Sequence, residues 1–168
     1  MRKILHIYHG DGKGKTTASI GIAIRAKGAG LKVCFVQFLK KGSSSEVNIL
    51  KNIDGIEYIC CEKCNKFVFQ MTDTEKAFLI SEYNKILEKI FSDNADVIIL
   101  DEFLDAYNLN MISKKSAENH ILHSDKEIIL TGRNPAEIFT DNADYISEIK
   151  AVRHPYNKGI SARKGIEF

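Results

Sequence analysis

No run of apolar residues in this 168-residue chain approaches the ~20 needed to cross a bilayer as a helix. The N-terminus has only a short run of mixed character before its glycines, without the apolar stretch of a secretory signal. An excess of one charge is missing too: 24 Lys and Arg against 22 Asp and Glu leave +2, too little to advertise nucleic acid. The four cysteines, lacking a secretory context, read as cytosolic thiols and not as bridges, so the expected location is the cytoplasm. Internal repeats, low-complexity stretches and a second composition regime are absent. What is present, 44% hydrophobic and 27% charged residues, is ordinary for a globular protein and excludes a disordered tail, a collagen-like fibre and a small disulfide scaffold. The length makes residues 1–168 one domain. A chain of this size buries roughly 68–70% of its surface on folding and needs no disulfide or metal staple.

Strand and helix patterns alternate. Ile4 to Tyr8 is a short β-favouring run ending at glycines. Thr16 to Lys27 places Ile20, Ala23, Ile24 and Lys27 at helical spacing, and Gly28 and Gly30 stop it. Val33 to Phe38 is a second strand, Gly42 to Ser45 a loop, Glu46 to Lys51 a short helix, and Ile56 to Cys60 a third strand. Thr72-Asp73-Thr74-Glu75 fits a capping box opening a helix to Phe91, with Phe78, Tyr83, Ile86, Leu87 and Ile90 as its apolar stripe. Val97 to Leu100 is continuously apolar, as in a strand buried on both faces. A helix over Lys114 to His123, a strand over Glu127 to Leu130, a helix opened by Asn134-Pro135 and a strand over Tyr145 to Ile149 complete the order. The alternation predicts an α/β fold, a mostly parallel sheet with helices on both faces.

The strongest motif is His9-Gly10-Asp11-Gly12-Lys13-Gly14-Lys15-Thr16-Thr17. It matches G-x-x-x-x-G-K-[ST] at Gly14, Lys15 and Thr16, with His9 in place of the first glycine, between a strand and a helix. Gly10, Gly12 and Gly14 allow positive φ, so loop N–H groups can turn toward phosphate at a helix N-terminus. Lys15 brings a mobile positive charge, and the Thr16 hydroxyl is placed for Mg²⁺. The complementary acidic group is Asp101 with Glu102, leaving the apolar strand at its C-terminal edge, where α/β sheets bind ligands. Mg²⁺ takes one or two carboxylates plus phosphates. Helix capping is the alternative use of these two carboxylates. Such a loop binds a nucleoside triphosphate without choosing the reaction.

Cys61-Glu62-Lys63-Cys64, with Cys60 beside it, is a C-x-x-C. No second such pair or paired-histidine motif completes a zinc knuckle. A metal here would need an outside ligand such as His6 or His9; redox sensing is a further use, and local packing is the preferred reading. His120 and His123 are three apart on a predicted helix and read as solvent-facing.

Together these residues resemble the ATP:corrinoid adenosyltransferases of the CobA/BtuR/CobO type. The likeness runs through His9 to Thr17, Arg25 to Gly28, Val36 to Lys40 with Gly42, and Glu46 to Leu50. It continues through Leu100-Asp101-Glu102, Leu130-Thr131-Gly132-Arg133 and Ala143-Asp144, and ends in the tail from Arg153-His154-Pro155 to Gly165-Ile166-Glu167-Phe168. The resemblance implies a single-domain P-loop, RecA-like fold and a homodimer. It implies transfer of the 5′-deoxyadenosyl group of ATP to a Co(I) corrinoid, cobalamin or cob(I)yrinic acid a,c-diamide, with triphosphate released intact. A flavoprotein-type reductase is the implied electron source. Gly10, Asp11, Gly12, Lys13, Gly14, Lys15, Thr16, Thr17 and Arg133 are the implied ATP contacts. Thr16, Asp101 and Glu102 are the implied ligands of Mg²⁺ or Mn²⁺. Cobalt is the nucleophile, which agrees with the absence of a recognisable Ser/His/Asp or Cys/His constellation. A P-loop small-molecule kinase, making ADP, and a RecA-like ATPase module, with a basic face, are the rival readings.

With Lys15, Phe67 and Phe69 are the implied catalytic residues. The pair resembles the family's two aromatics, which sit under the corrin and displace its lower axial ligand; the second is often Trp there and is Phe69 here. On the residues alone, Phe67-Val68-Phe69 reads as an inward-packing strand or loop; the family match reverses this. In an extended segment the two side chains share one face. The chain departs from the family in its Gly42 to Glu46 loop, which is shorter than in some relatives and lacks the glycine before Glu46. Some relatives carry an N-terminal helical extension that helps cover the site; with the first strand pattern starting at Ile4, no such lid is expected here.

Overall fold

The computed structural model describes residues 4–63 and 66–167. Six strands form one sheet: β1 (Leu5–His9), β2 (Val33–Gln37), β3 (Ile56–Cys60), β4 (Val97–Asp101), β5 (Glu127–Thr131) and β6 (Tyr145–Glu148). The order is β3-β2-β4-β5-β1-β6, and every pairing is parallel. All strand C-termini therefore open on one edge. β5 lies between the loop-bearing β1 and the acidic β4, the arrangement of a RecA-like P-loop sheet.

Side chains alternate across the sheet into two cores. Leu5, Ile7, Cys34, Val36, Ile98, Leu100, Ile128 and Leu130 face one side. They meet α3 (Asp73–Ser92), α4 (Phe103–Asn108), α5 (Lys114–Leu122) and α6 (Glu137–Thr140). Phe35, Ile99 and Ile129 face the other side, against α1 (Lys15–Gly28) and α2 (Val47–Leu50). Helices on both faces explain why β2 and β4 are buried along their whole length.

The capping box is present: Glu75 N donates to Thr72 Oγ1 at 3.2 Å, and Thr72 N donates to Glu75 Oε2 at 2.8 Å. A cap is worth ~1 kcal/mol. The buried side chains of Leu79, Tyr83, Leu87 and Ile90 contribute ~1.5–3 kcal/mol each. Packing therefore holds α3, and the cap fixes where it starts.

Several expectations shift by a helix phase or a few residues. The apolar stripe of α3 runs through Leu79; Phe78 is exposed and Ile86 only partly buried. On α1 the buried face is Ser19, Ala23 and Ala26, while Ile24 is exposed. Small side chains set equally at helical spacing face the sheet there. Gly28 is helical, and the turn comes at Gly30, φ +84°. Pro135 does not open α6, whose cap is Ala136. The segment before it is held by α4 instead: Arg133 N donates to Asp105 Oδ2 at 2.9 Å, and Asn108 Nδ2 donates to Asn134 O at 2.7 Å. Helix α4 itself has too short a pattern to be seen in the sequence.

Candidate active site

The loop after β1 turns at Gly10 (φ +115°) and Gly14 (φ +122°), which only glycine adopts at little cost. Gly12 is a glycine for another reason. Its N–H donates to Ile149 O at 2.8 Å, and a Cβ there would lie 2.7 Å from that oxygen. Asp11 Oδ1 accepts from Ala151 N at 2.9 Å. That bond is the main reason the Asp11 carboxyl lies below the usual range. The chain after β6 thus braces the loop from behind. Gly12→Ala is expected to lower stability by about 1–3 kcal/mol, the cost of overpacking, read as a lowered urea midpoint. An unchanged midpoint would show that this contact yields freely.

Lys15 Nζ donates to Gly10 O at 2.8 Å and Gly12 O at 3.0 Å. It stands at the mouth of a cleft of about 720 Å³ lined by the loop, Thr16, Thr17, Lys40, Ser44, Glu46, Glu102 and the tail residues Gly165 to Glu167. Lys13 reaches that tail, donating to Glu167 Oε1 at 3.3 Å. Glu167 also binds Arg163, whose side chain is the first cause that holds the Glu167 carboxyl down at about 2.

Asp101 is fully buried at the end of β4, and each of its carboxylate oxygens accepts two hydrogen bonds. Oδ1 accepts from Thr16 Oγ1 at 2.9 Å and Thr131 Oγ1 at 2.7 Å. Oδ2 accepts from Gln37 Nε2 at 3.0 Å and Lys40 Nζ at 2.9 Å. Burying a carboxylate is costly unless it is paired and hydrogen-bonded, and four donors, from α1, β2, β5 and the loop after β2, meet that requirement. Tyr58 OH extends the network by donating to Gln37 Oε1 at 2.8 Å. Neither carboxylate caps α4: Glu102 occupies the cap position in the left-handed conformation, φ 58°, without a side-chain cap. Burial pushes the Glu102 carboxyl above its ordinary value, against the pull of Lys40.

Among the described residues no three His, Cys, Asp or Glu side chains cluster as metal ligands. A magnesium-type site draws on fewer carboxylates and adds hydroxyl and phosphate oxygens. The donor set fits: Thr16 Oγ1, Asp101 Oδ2 and Glu102 Oε1 lie 3.2, 2.9 and 3.5 Å from one cation, the Lys40 ammonium. These are hard oxygens already gathered around a positive charge.

Arg133 is exposed and flanks a neighbouring groove with His9, Gly10, Asp11 and Lys150, apart from the cleft at Lys15. Phe67 and Phe69 are 71% and 80% exposed, which overturns the inward-packing alternative. Their rings are nearly parallel, 9° between planes with centroids 5.6 Å apart. The segment is not extended throughout, because Val68–Gln70 forms a 3-10 turn. In sequence they lie between β3 and α3.

Cys61 is buried and Cys60 half-buried; Cys64 lies outside the described residues. His6 cannot join them. It sits on β1, four strands from β3, on the order of 19 Å across the sheet, and its Nε2 is 2.6 Å from Glu127 Oε1. His120 stacks on Phe91, and only His123 is exposed. Gln37, Lys40 and Thr131 are the residues that motif reading missed. Each sits at or just past a strand end beside Asp101; in sequence only the family likeness over Val36 to Lys40 and Leu130 to Arg133 takes them in, without a role.

The chain is similar along its length to known proteins. Corrinoid adenosyltransferase of Escherichia coli (strain K12) is 31% identical over 171 residues, covering 99% of this chain and 86% of that protein. Corrinoid adenosyltransferase CobA of Salmonella typhimurium is 29% identical over 170 residues, with the same coverage of 99% and 86%. Corrinoid adenosyltransferase of Pseudomonas aeruginosa is 27% identical over 173 residues, covering 99% and 84%. With a buried carboxylate tied to a phosphate loop, and a match to the family along residues 1–168, the chain belongs to the ATP:corrinoid adenosyltransferases, BtuR/CobO/CobP, and is a transferase that moves an adenosyl group from ATP to a corrinoid.

Proposed function

We propose that the reaction is attack of Co(I) on the ribose 5′ carbon of ATP. The cobalt electron pair forms the Co–C5′ bond. The C5′–O5′ bond breaks with its pair going to oxygen, and triphosphate leaves intact. The observation that carries this reading is the 2.9 Å bond from Thr16 Oγ1 to Asp101 Oδ1. It locks the first turn of α1 to the acidic strand, so that loop N–H groups, Lys15 and two carboxylates converge where phosphates would lie.

In this reading Gly10 to Thr17 and Arg133 contact ATP. The Asp11 side chain is already engaged with Ala151, so its backbone makes the contact. Lys15 leaves two loop carbonyls to meet phosphate, exchanging neutral acceptors for charged ones, which are roughly twice as strong. Thr16, Asp101 and Glu102 would hold Mg²⁺ or Mn²⁺, which would neutralise charge growing on the departing triphosphate. Phe67 and Phe69 form an apolar floor for the corrin. A flavoprotein-type reductase supplies the electron, the active form is a homodimer, and the location is cytoplasmic, in keeping with Cys34 and Cys60 as thiols.

The test supplies ATP and chemically reduced cobalamin. Adenosylated cobalamin and triphosphate in equal amounts are expected. ADP would signal a kinase, and hydrolysis stimulated by nucleic acid an ATPase module. Glu102→Gln should weaken the Mg²⁺ requirement without a matching loss of apo stability, because Glu102 is only partly buried. The expected change is roughly tenfold in half-saturating Mg²⁺, ~1.4 kcal/mol of binding. Superimposable Mg²⁺ titrations of variant and wild type would remove Glu102 from the metal site.

A further inference from the structure

Among the described residues the Lys40 ammonium has three oxygen neighbours, and they are the three assigned to the divalent cation. Lys40 Nζ lies 2.9 Å from Asp101 Oδ2, 3.2 Å from Thr16 Oγ1 and 3.5 Å from Glu102 Oε1. Two backbone features aim it there. Leu39, just before it, has φ 56°, and Glu102 opposite has φ 58°; non-glycine residues seldom adopt this region. The Leu39 turn is fixed by its N–H donating to Tyr83 Oη at 2.7 Å, and the preceding Phe38 N donates to Asp101 O at 3.0 Å. A strained turn on each side thus closes one small ring of oxygens around one ammonium.

We infer that Lys40 is a built-in cation of the metal site: it occupies the divalent position in the nucleotide-free protein and gives it up only when ATP brings phosphate oxygens with the metal. The inference rests on the reading of Thr16, Asp101 and Glu102 as the metal's ligands. Two cations cannot share the ring, because like charges ~4 Å apart repel strongly in a partly desolvated cleft. Before ATP arrives, two carboxylates and a hydroxyl have no advantage over the resident ammonium, so free metal binds weakly. When ATP adds phosphate oxygens, the metal gains ligands and Lys40 gains an anionic partner in the triphosphate. Metal entry is thereby tied to nucleotide entry, and the buried Asp101 always keeps a counter-charge. Lys40 is a positioning residue in this account.

The test measures Mn²⁺ binding by the spin-resonance signal of free Mn²⁺, with and without ATP. The proteins are wild type, Lys40→Gln, Lys40→Arg and Glu102→Gln. Lys40→Gln keeps a donor for Asp101 and removes the charge. It should bind Mn²⁺ without nucleotide at least roughly tenfold more tightly than wild type. Lys40→Arg, which keeps the charge, should stay as weak as wild type. A Lys40→Gln affinity within about twofold of wild type overturns the inference. If Glu102→Gln still weakens Mn²⁺–ATP binding in that event, the metal assignment stands and only the role of Lys40 falls. If Glu102→Gln changes nothing, both fall. Should Lys40→Gln not fold, wild type decides: Mn²⁺ alone should leave its thermal midpoint unmoved, and Mn²⁺ with ATP should raise it. Tight nucleotide-free Mn²⁺ binding by wild type overturns the inference.

Discussion

Lys15→Ala should lose adenosyl transfer by a factor on the order of 10²–10³ in kcat, the loss seen when one preorganised donor to a developing anion is removed. The triphosphate leaves with a further negative charge on its oxygen, and Lys15 is the loop's mobile cation. Its ammonium is held by Gly10 O and Gly12 O at 2.8 and 3.0 Å, poised at the cleft and, among the described residues, not tied into an ion pair. No carboxylate partner need be broken before it meets phosphate. The same geometry predicts a small structural cost, since two carbonyls at a cleft mouth can turn to water. The thermal midpoint should move by only a few degrees, about 1 kcal/mol for a chain of this size. Lys15→Arg should not restore the rate, because a planar fork does not replace a point charge in a tight loop. The check is triphosphate release at saturating ATP with pre-reduced corrinoid. Wild-type turnover in Lys15→Ala would sink the loop assignment.

The parts of this protein written in local pattern were legible, and those made by distant backbone were not. Gly14-Lys15-Thr16 after an apolar run announces a phosphate loop, because strand, turn and helix follow one another in sequence. Thr72 and Glu75 announce the start of α3 for the same reason. Asp101 could be read from Val97 to Leu100, an apolar run ending in a charge. Its partners could not, because Gln37, Lys40 and Thr131 are 64, 61 and 30 residues away. Only the sheet order β2-β4-β5 sets their strand ends beside it. The use of Gly12 was hidden likewise, since the Ile149 carbonyl that excludes a Cβ reaches it through the β1–β6 pairing. The phase of α1 is not legible from hydrophobicity, because its buried face carries Ser19, Ala23 and Ala26. Hydrophobicity alone favoured Ile24, which points outward.

The double variant Phe67→Ala/Phe69→Ala should leave ATP binding intact and impair adenosylation from Co(II) corrinoid by about a hundredfold. The fold gives no reason to keep these rings. At 71% and 80% exposure they contribute little to the core, and surface substitutions of this kind change stability by roughly ±0.5 kcal/mol. Two large apolar faces left in water forgo ~1.5 kcal/mol or more each, which a ligand lying on them would recover. Their planes differ by only 9°, so both match the orientation of one flat macrocycle. The proposed floor removes the lower ligand of cobalt, and loss of that ligand's electron donation makes Co(II) easier to reduce. A reduction step made harder by about 3 kcal/mol of barrier corresponds to about 10²-fold in rate. Supplying Co(I) bypasses the reduction, so the same variant should then lose less than about tenfold. A purely structural role for the pair would depress both reactions equally. The decisive observation is the spin-resonance signature of Co(II) corrinoid bound with ATP. A four-coordinate species is expected in wild type and not in the double variant; if it persists unchanged there, the floor is built by other residues.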